Sequence, residues 1–294
     1  MKCKIAAVVV TFNRLELLKQ CIENLRNQTH KLDEIFIINN SSTDGTLDWL
    51  NEQTDLTVIT QENSGSAGGQ FTGIKTAYEK GYDWIWCLDD DCVAETKALE
   101  NLLNINPDSN IVLNSTVLSN ESAIDGKMAF AIYDKNRDIL YRNSNECEDL
   151  LIPSANFFNG TLISRHIIEQ IGLPLKKMFI RGEEYEYLLR IETNGFKVFT
   201  VKDSKVYHPP AKKVIFDNKI FRYEYLVLDY NKRYYTIKNL TYITKSYPIQ
   251  KYITLVKILL LDIFVMISRL EFKMIYVELK GFISGIFFEV NNDR

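Results

Sequence analysis

The sequence is poor in the residues that build disulfide or zinc frameworks. Among its 294 residues are three histidines and five cysteines, and the odd cysteine count is accompanied by no CxxC or Cys/His zinc spacing. We therefore expect reduced thiols in a cytosolic protein. No charged, apolar and small-residue signal region opens the chain, so we also expect no export.

Long uncharged runs are missing as well. The most apolar stretch, residues 253–268, contains Lys257 and Asp262, and it falls short of the roughly 18 uncharged residues that a membrane-spanning helix needs. The small-residue stretch 63–69 matches neither GxxxxGK[ST] nor GxGxxG. The two commonest phosphate-binding fingerprints are therefore excluded there.

What the sequence has is an ordinary globular composition, 46% hydrophobic and 25% charged, with an uneven charge. Residues 1–200 carry 19 Lys and Arg against 29 Asp and Glu, whereas residues 201–294 carry 16 against 9. The two parts therefore have net charges of −10 and +7. A C-terminal part that is both basic and apolar favours an anionic membrane surface over nucleic acid as its partner.

The first hundred residues alternate short β-branched runs with helical patterns. This alternation predicts a βαβαβαβ order, and hence an α/β fold with a mostly parallel, Rossmann-like sheet and helices on both faces. A mixed pattern of strands and helices follows, and from about residue 220 the chain becomes helical, aromatic and basic. We therefore divide it into an α/β domain at 1–215 and a helical C-terminal region at 216–294.

Three adjacent acids, Asp89, Asp90 and Asp91, follow an apolar run that is typical of a buried strand. In open α/β sheets the carboxyl ends of the strands form the crevice that binds ligands. Carboxylate oxygens there select hard cations such as Mg²⁺ or Mn²⁺, which commonly arrive with a phosphate group. The alternative is an acidic loop in water.

Polar residues also follow the first two predicted strands: Thr11, Asn13 and Arg14 after the first, and Asn40 after the second. Two such strand ends side by side would form a nucleoside pocket, although Asn and Ser are also ordinary turn formers and helix caps. In the stretch 63–69, small residues lead into a helix N-terminus, where a ligand or another backbone can approach closely.

As an ordered set, the segments VVVTFNR, NNSSTDGT, NSGSAGG and WIWCLDDD resemble the family 2 nucleotide-sugar glycosyltransferases with the A-type glycosyltransferase fold. The resemblance spans residues 5 to about 240. It implies a donor site made of Thr11, Asn13, Arg14, Asn40, Gly68, Gly69 and Asp90, with Asn159 and Gly160 facing the donor sugar or the acceptor.

The same resemblance implies a Mn²⁺ or Mg²⁺ ion held by Asp89, Asp91 and His208, with Asp90 approaching the ribose or the metal between them. It also implies a catalytic base at the start of a helix, which we assign to Glu184 with Glu183 as the alternative. A carboxylate at this place would remove the proton of the acceptor hydroxyl.

Within the family, the chain looks most like bacterial galactofuranosyltransferases that use UDP-galactofuranose. The implied function is an inverting, metal-dependent transfer to an oligosaccharide or lipid-linked saccharide of a growing surface polysaccharide, at the inner face of the cytoplasmic membrane. A dTDP-rhamnose-dependent rhamnosyltransferase is the near alternative. A non-catalytic nucleotide-sugar-binding protein is the alternative from another class.

The C-terminal region offers two open choices. The basic, tyrosine-containing segment 232–239 is either a solvated helix face or a contact for a diphosphate-lipid acceptor. The apolar stretch 253–268 is either a helix packed on the protein's own core or an in-plane amphipathic anchor.

Overall fold

The computed structural model describes residues 3–121, 125–217, 222–247 and 252–290. Its strands are β1 Ile5–Thr11, β2 Glu34–Asn39, β3 Thr57–Thr60, β4 Trp84–Asp89, β5 Val93–Ala94, β6 Ile111–Ser119, β7 Lys127–Asp134, β8 Ile139–Asn143, β9 Leu151–Ile152, β10 Thr161–Ser164, β11 Lys197–His208, β12 Lys213–Asp217 and β13 Arg222–Leu226. Its α-helices are α1 Leu15–Arg26, α2 Thr46–Asn51, α3 Gly65–Glu79, α4 Ala98–Leu103, α5 Arg165–Ile171, α6 Glu183–Thr193, α7 Tyr230–Ser246, α8 Tyr252–Ser268 and α9 Phe272–Ile286.

A large mixed sheet organises the first two thirds of the chain. Its strand order is β3-β2-β1-β4-β10-β6-β11-β5, with β7, β8 and β9 attached at the side. The pairs β1–β2, β2–β3, β1–β4 and β6–β11 are parallel, while β10 runs antiparallel between β4 and β6. The predicted α/β fold with its βαβαβαβ beginning is confirmed.

Alternate residues of the central strands serve two separate cores, because side chains of a strand point to opposite faces. On β1, Ala7 and Val9 join the core with α1 and α4, while Val8 and Val10 join the core with α3, α5 and α6. Trp86 of β4 is fully buried in the first of these cores. Helices therefore cover both faces, and the strand ends remain at the rim.

Strand β11 contains a bulge between Val201 and Lys205 and continues to His208. A separate antiparallel hairpin, β12–β13, then leads into the helical region. The proposed division after residue 215 stays a prediction, and β12 runs across that position. Parts of the predicted C-terminal region, residues 218–221, 248–251 and 291–294, lie outside the described residues.

Helices α7, α8 and α9 pack together around buried charges. Arg233 of α7 donates from Nη1 to Asp262 of α8 at 3.0 Å and lies 3.3 Å from a carboxylate oxygen of Glu278 of α9. Lys238 of α7 is also buried. Of the two alternatives left open for segment 232–239, a solvated helix face does not hold for Arg233 and Lys238, because these side chains are buried and bind protein groups. Among the described residues, no helix combines the length and apolarity needed to cross a membrane.

Candidate active site

The acidic cluster lies at the carboxyl edge of the sheet, where β4 runs beside β1 with Asp89 opposite Val10. Asp90 turns inward: it accepts hydrogen bonds from Thr11 Oγ1 at 2.8 Å and from Arg14 Nη1 at 2.9 Å. The same Arg14 nitrogen lies 2.7 Å from Asp91. Three predicted donor-site residues are thus brought together, and Arg14 offsets the charge of two neighbouring acids.

His208, at the end of β11, contacts the same cluster from another strand of the same sheet. Its Nε2 lies 3.1 Å from Asp91 Oδ1, while its Nδ1 lies 2.6 Å from the carbonyl oxygen of Pro209. Asp91 Oδ1 is buried and forms no hydrogen bond of good geometry. A buried carboxylate oxygen facing an imidazole nitrogen, with no better partner, is the donor set that suits a divalent cation.

The three acids do not share one charge state. Burial, and then the charge of Asp91, raise the pKa of Asp89 to about 8. Burial would likewise raise the pKa of Asp91, but the adjoining His208 and Arg14 bring it below its ordinary value. Burial lowers the pKa of His208, and Asp91 more than reverses this. Without a cation, these shifts therefore favour an ionised Asp91 and a protonated Asp89 near neutral pH.

Cys92 was not predicted as part of the site, yet its sulfur lies within 4.8 Å of ligand atoms of Asp91 and His208. The thiol donates to Asn159 Oδ1 at 3.3 Å, and burial raises its pKa well above the ordinary value. It is therefore a neutral thiol that fixes Asn159 beside the acids. In the sequence, its position directly after the three acids could have indicated that Cys92 belongs to the site.

The loops after β1 and β2 are tied to each other by asparagine side chains. Asn13 Oδ1 accepts from the backbone N–H of Thr43 at 2.6 Å. Asn40 is buried, donates to the carbonyl of Gly65 at 3.1 Å and accepts from Gln61 at 2.8 Å. Both residues lie at the predicted rim. In this structure the side chain of Asn40 binds protein groups on both sides, so it holds the second loop against the start of α3.

The glycines of α3 serve packing. A Cβ at Gly69 would lie 2.3 Å from Cγ1 of Val10, and one at Gly68 would lie 2.1 Å from the Ser64 hydroxyl oxygen. Protein atoms, rather than open space for a ligand, therefore face both positions. Gly160 has φ of 87° and donates its N–H to the carbonyl of Cys87 at 3.0 Å, which turns the chain into β10 beside β4.

Glu183 and Glu184 begin α6 with different surroundings. Glu183 is 2% exposed, and burial together with the charge of Glu184 raises its pKa well above 4.5. Glu184 is partly exposed, and one of its oxygens accepts the N–H of Gly182 at 2.8 Å. After burial and the nearer charges, Glu184 also contributes to the raised pKa of Asp89. The partly exposed Glu184 is therefore near enough to influence the charge of Asp89, whereas burial favours the protonated form of Glu183.

Comparisons with known proteins show which families and folds the chain is similar to. Residues 6–137 match the family model for Glycosyl transferase family 2. The chain is 27% identical to Galactofuranosyltransferase GlfT1 of Mycolicibacterium smegmatis, over 84% of this chain and 85% of that protein. It is 24% identical to dTDP-rhamnosyl transferase RfbF of Shigella flexneri, over 81% and 79%.

Among solved structures, the chain resembles GalNAc-T7 with UDP, GalNAc and Mn²⁺, with a TM-score of 0.58 and 15% sequence identity. The similarity covers 83% of this chain and 48% of that one. At this identity the likeness concerns the fold alone, and it agrees with the A-type glycosyltransferase architecture that the sequence predicted.

Proposed function

The chain is a glycosyltransferase with a family 2 domain, and from that premise we propose that it transfers galactofuranose from UDP-galactofuranose to a hydroxyl of a growing, lipid-linked bacterial surface polysaccharide. The observation that carries this proposal is the contact between Asp91 and His208 at the carboxyl edge of the sheet, with Asp89 coupled electrostatically to both residues and to Glu184. The similarity to a galactofuranosyltransferase over most of the chain supports the choice of donor.

Asp91 and His208, with Asp89 beside them, would hold a Mn²⁺ or Mg²⁺ ion. Such an ion supplies Lewis-acid stabilisation of the negative charge that a departing nucleoside diphosphate gains. The protein's own part is to keep Asp91 ionised through Arg14 and His208. Asp90, bound to Thr11 and Arg14, orients the loop that carries the two flanking acids.

Glu184 is the proposed base. It takes the proton of the acceptor hydroxyl while that oxygen bonds to the anomeric carbon, and the bond from that carbon to the diphosphate oxygen breaks. Attack opposite to the leaving group inverts the anomeric configuration. The partly exposed position of Glu184 allows an acceptor to reach it, whereas Glu183 is buried and its pKa is raised by that burial.

Two other functions remain testable. The similarity to a dTDP-rhamnosyl transferase favours dTDP-rhamnose as the second donor. A nucleotide-sugar-binding protein without turnover would keep the fold and lose the transfer. A mass-spectrometric screen of nucleotide sugars with a lipid-linked disaccharide acceptor separates all three, because it reads the donor and the transferred mass together. Release of UDP without acceptor, in the presence of Mn²⁺, would also argue against the non-catalytic alternative.

We further propose that residues 216–294 contact the acceptor and the inner face of the cytoplasmic membrane. Helices α8 and α9 each bury apolar or small residues together with one acid, and in addition each exposes a row of large apolar residues to solvent, which an ordinary surface helix does not do. Asp262 and Glu278 are at most 3% exposed, whereas Leu260 is 63% and Ile283 is 55% exposed. We call the following residues the apolar stripes: Ile253, Val256, Leu260 and Ile267 on α8, with Tyr276, Leu279, Ile283 and Ile286 on α9.

Each stripe has the spacing of one helix face, and exposed basic residues accompany them. Lys257 of α8 and Lys273 and Lys280 of α9 are exposed, while the two acids within these helices are buried against Arg233. Apolar side chains next to unpaired surface charge of positive sign match an anionic lipid surface. An interface with another protein copy would bury the stripes equally well but would not require anionic lipid.

Sedimentation with vesicles tests this contact. The Leu260→Asp, Ile283→Asp double variant should bind anionic vesicles at least ten-fold more weakly than the wild type, because each change removes an apolar group and adds a charge of the wrong sign. The matched control is Ile139→Asp, an exposed apolar residue of β8. Wild-type binding that is equal for neutral and anionic vesicles, or dimerisation abolished by the double variant, would contradict the membrane contact.

A further inference from the structure

The segment before α6 has an unusual backbone. Phe179, Arg181 and Gly182 have φ values of 68°, 62° and 100°, all in the left-handed region. Side chains disfavour that region, so a loop with two such non-glycine residues persists only where neighbouring groups hold it. The loop ends at Gly182, directly before the proposed base. The groups that hold this loop therefore also determine the position of Glu184 at the start of α6.

Asn239 of α7 holds this loop from behind. Its side chain is fully buried, and its Nδ2 donates to the carbonyl oxygens of Met178 at 2.9 Å, Ile180 at 3.2 Å and Arg181 at 2.8 Å. Three carbonyls that converge on one nitrogen require a donor there. A Cβ added at Gly182 would lie 3.0 Å from Cβ of Asn239, so α7 and the loop are already in close contact.

Helix α9 fixes the part of α7 that carries Asn239. A Cβ at Gly281 would lie 2.8 Å from the carbonyl oxygen of Tyr234, and one at Gly285 would lie 2.4 Å from that of Lys238. These two glycines let α9 pack directly on the backbone of α7, one residue away from Asn239. Lys238 itself donates to the carbonyl of Lys177 at 3.3 Å. The loop is thus attached to a rigid helix pair.

We propose that Asn239 is a positioning residue for the proposed base: by binding the Met178–Arg181 carbonyls it sets the orientation of Glu184 toward the acceptor hydroxyl. This inference rests on the proposed function. It adds that the C-terminal helices complete the active site of the family 2 domain, although Asn239 lies outside residues 6–137. No contact of Asn239 with a substrate is required.

The test compares Asn239→Ala with Thr244→Ala. Thr244 is the matched control because it is another buried polar residue of α7, and its hydroxyl donates only within the helix, to the carbonyl of Leu240. We expect Asn239→Ala to lower kcat at least ten-fold while its Kd for UDP with Mn²⁺ changes by less than about two-fold. Thr244→Ala should leave both quantities near the wild-type values.

A double-variant cycle separates positioning from general loss of stability. In a Glu184→Gln background, Asn239→Ala should cause less than a two-fold further loss of kcat, because the group that it positions is already disabled. An equal loss in both backgrounds, or an unchanged kcat of Asn239→Ala, would overturn the proposal. If Glu184→Gln itself keeps wild-type turnover, the proposed function fails instead, and the two failures are distinguishable.

Asn239→Ser supplies a second variant should the alanine variant not fold. A serine keeps one donor, so kcat should fall less than in a variant without a donor but still below that of Thr244→Ala, again with unchanged UDP affinity. A folded Asn239→Ser protein with wild-type kcat at every acceptor concentration would count against the positioning role.

Discussion

Exchange of Glu184 for glutamine should lower turnover strongly, whereas the same exchange at the adjacent Glu183 should change turnover little. Glu184→Gln removes the proposed proton acceptor from a partly exposed side chain, so turnover should fall by about 10²-fold to 10⁴-fold, the usual contribution of a general base. Glu183→Gln replaces a buried carboxyl, whose pKa is raised well above its ordinary value by burial, with a neutral amide of the same size. Turnover of this variant should stay within a few-fold of the wild type.

The stability of the two variants should differ in its pH dependence as well. The pKa of Glu183 is raised in the folded protein by burial and by Glu184, so above pH 4.5 the unfolded chain loses a proton that the folded one keeps. The stabilisation is full below the ordinary pKa and is lost as the pH rises toward the raised value. The loss amounts to about 1.4 kcal/mol per pH unit.

Urea unfolding of the wild type and of Glu183→Gln between about pH 5.5 and pH 7.5 measures this slope. The variant should become progressively more stable relative to the wild type as the pH rises over this range, because glutamine carries no titrating proton. Transfer assays on the same preparations, with UDP affinity as the control for donor binding, complete the comparison. A Glu183→Gln variant that loses as much turnover as Glu184→Gln, with no change of slope, would refute the assignment of the base.

Three further outcomes are expected. Asp91→Ala, or removal of divalent ions with EDTA, should abolish metal-dependent UDP binding in calorimetry, and unchanged affinity would contradict the metal role. Gly69→Ala should lower the free energy of unfolding by about 1–3 kcal/mol in urea, because its Cβ would lie 2.3 Å from Val10; an unaffected midpoint would show that α3 shifts freely. Arg233→Met should destabilise the protein by about 3–5 kcal/mol, because two buried acids lose their partner, and the exposed Lys257→Met is the control.

The parts of the site that could be predicted are those in which neighbours in sequence are neighbours in space. Asp89 and Asp91 follow a strand whose apolar run is visible in the sequence, and parallel strands bring the residues after β1 to the same edge. Thr11 and Arg14 therefore meet Asp90 as expected. In the first hundred residues, strand-like and helix-like hydrophobic patterns alternate regularly, and this alternation allowed the βα order to be predicted.

The misplaced or missing parts depend on contacts between distant segments. Nothing local in the sequence shows that Gly69 faces Val10 rather than a ligand, because small residues at a helix N-terminus suit either purpose. For the basic segment of α7, the sequence left a solvated face as one of two alternatives, because charged side chains usually lie in solvent. Arg233 is buried only because Asp262 and Glu278, 29 and 45 positions later, reach it.

The same long-range contacts bear on how the proposed reaction is organised. The acidic cluster lies within residues 6–137, which match the family model, whereas the loop that precedes Glu184 is bound by Asn239 of α7, and α7 is packed against α9. The apolar stripes lie on α8 and α9. If the stripes meet the lipid surface as proposed, one of the helices that contact the membrane, α9, also supports the helix that holds the loop before the base. Donor binding would then be insensitive to the C-terminal helices, while transfer would depend on them.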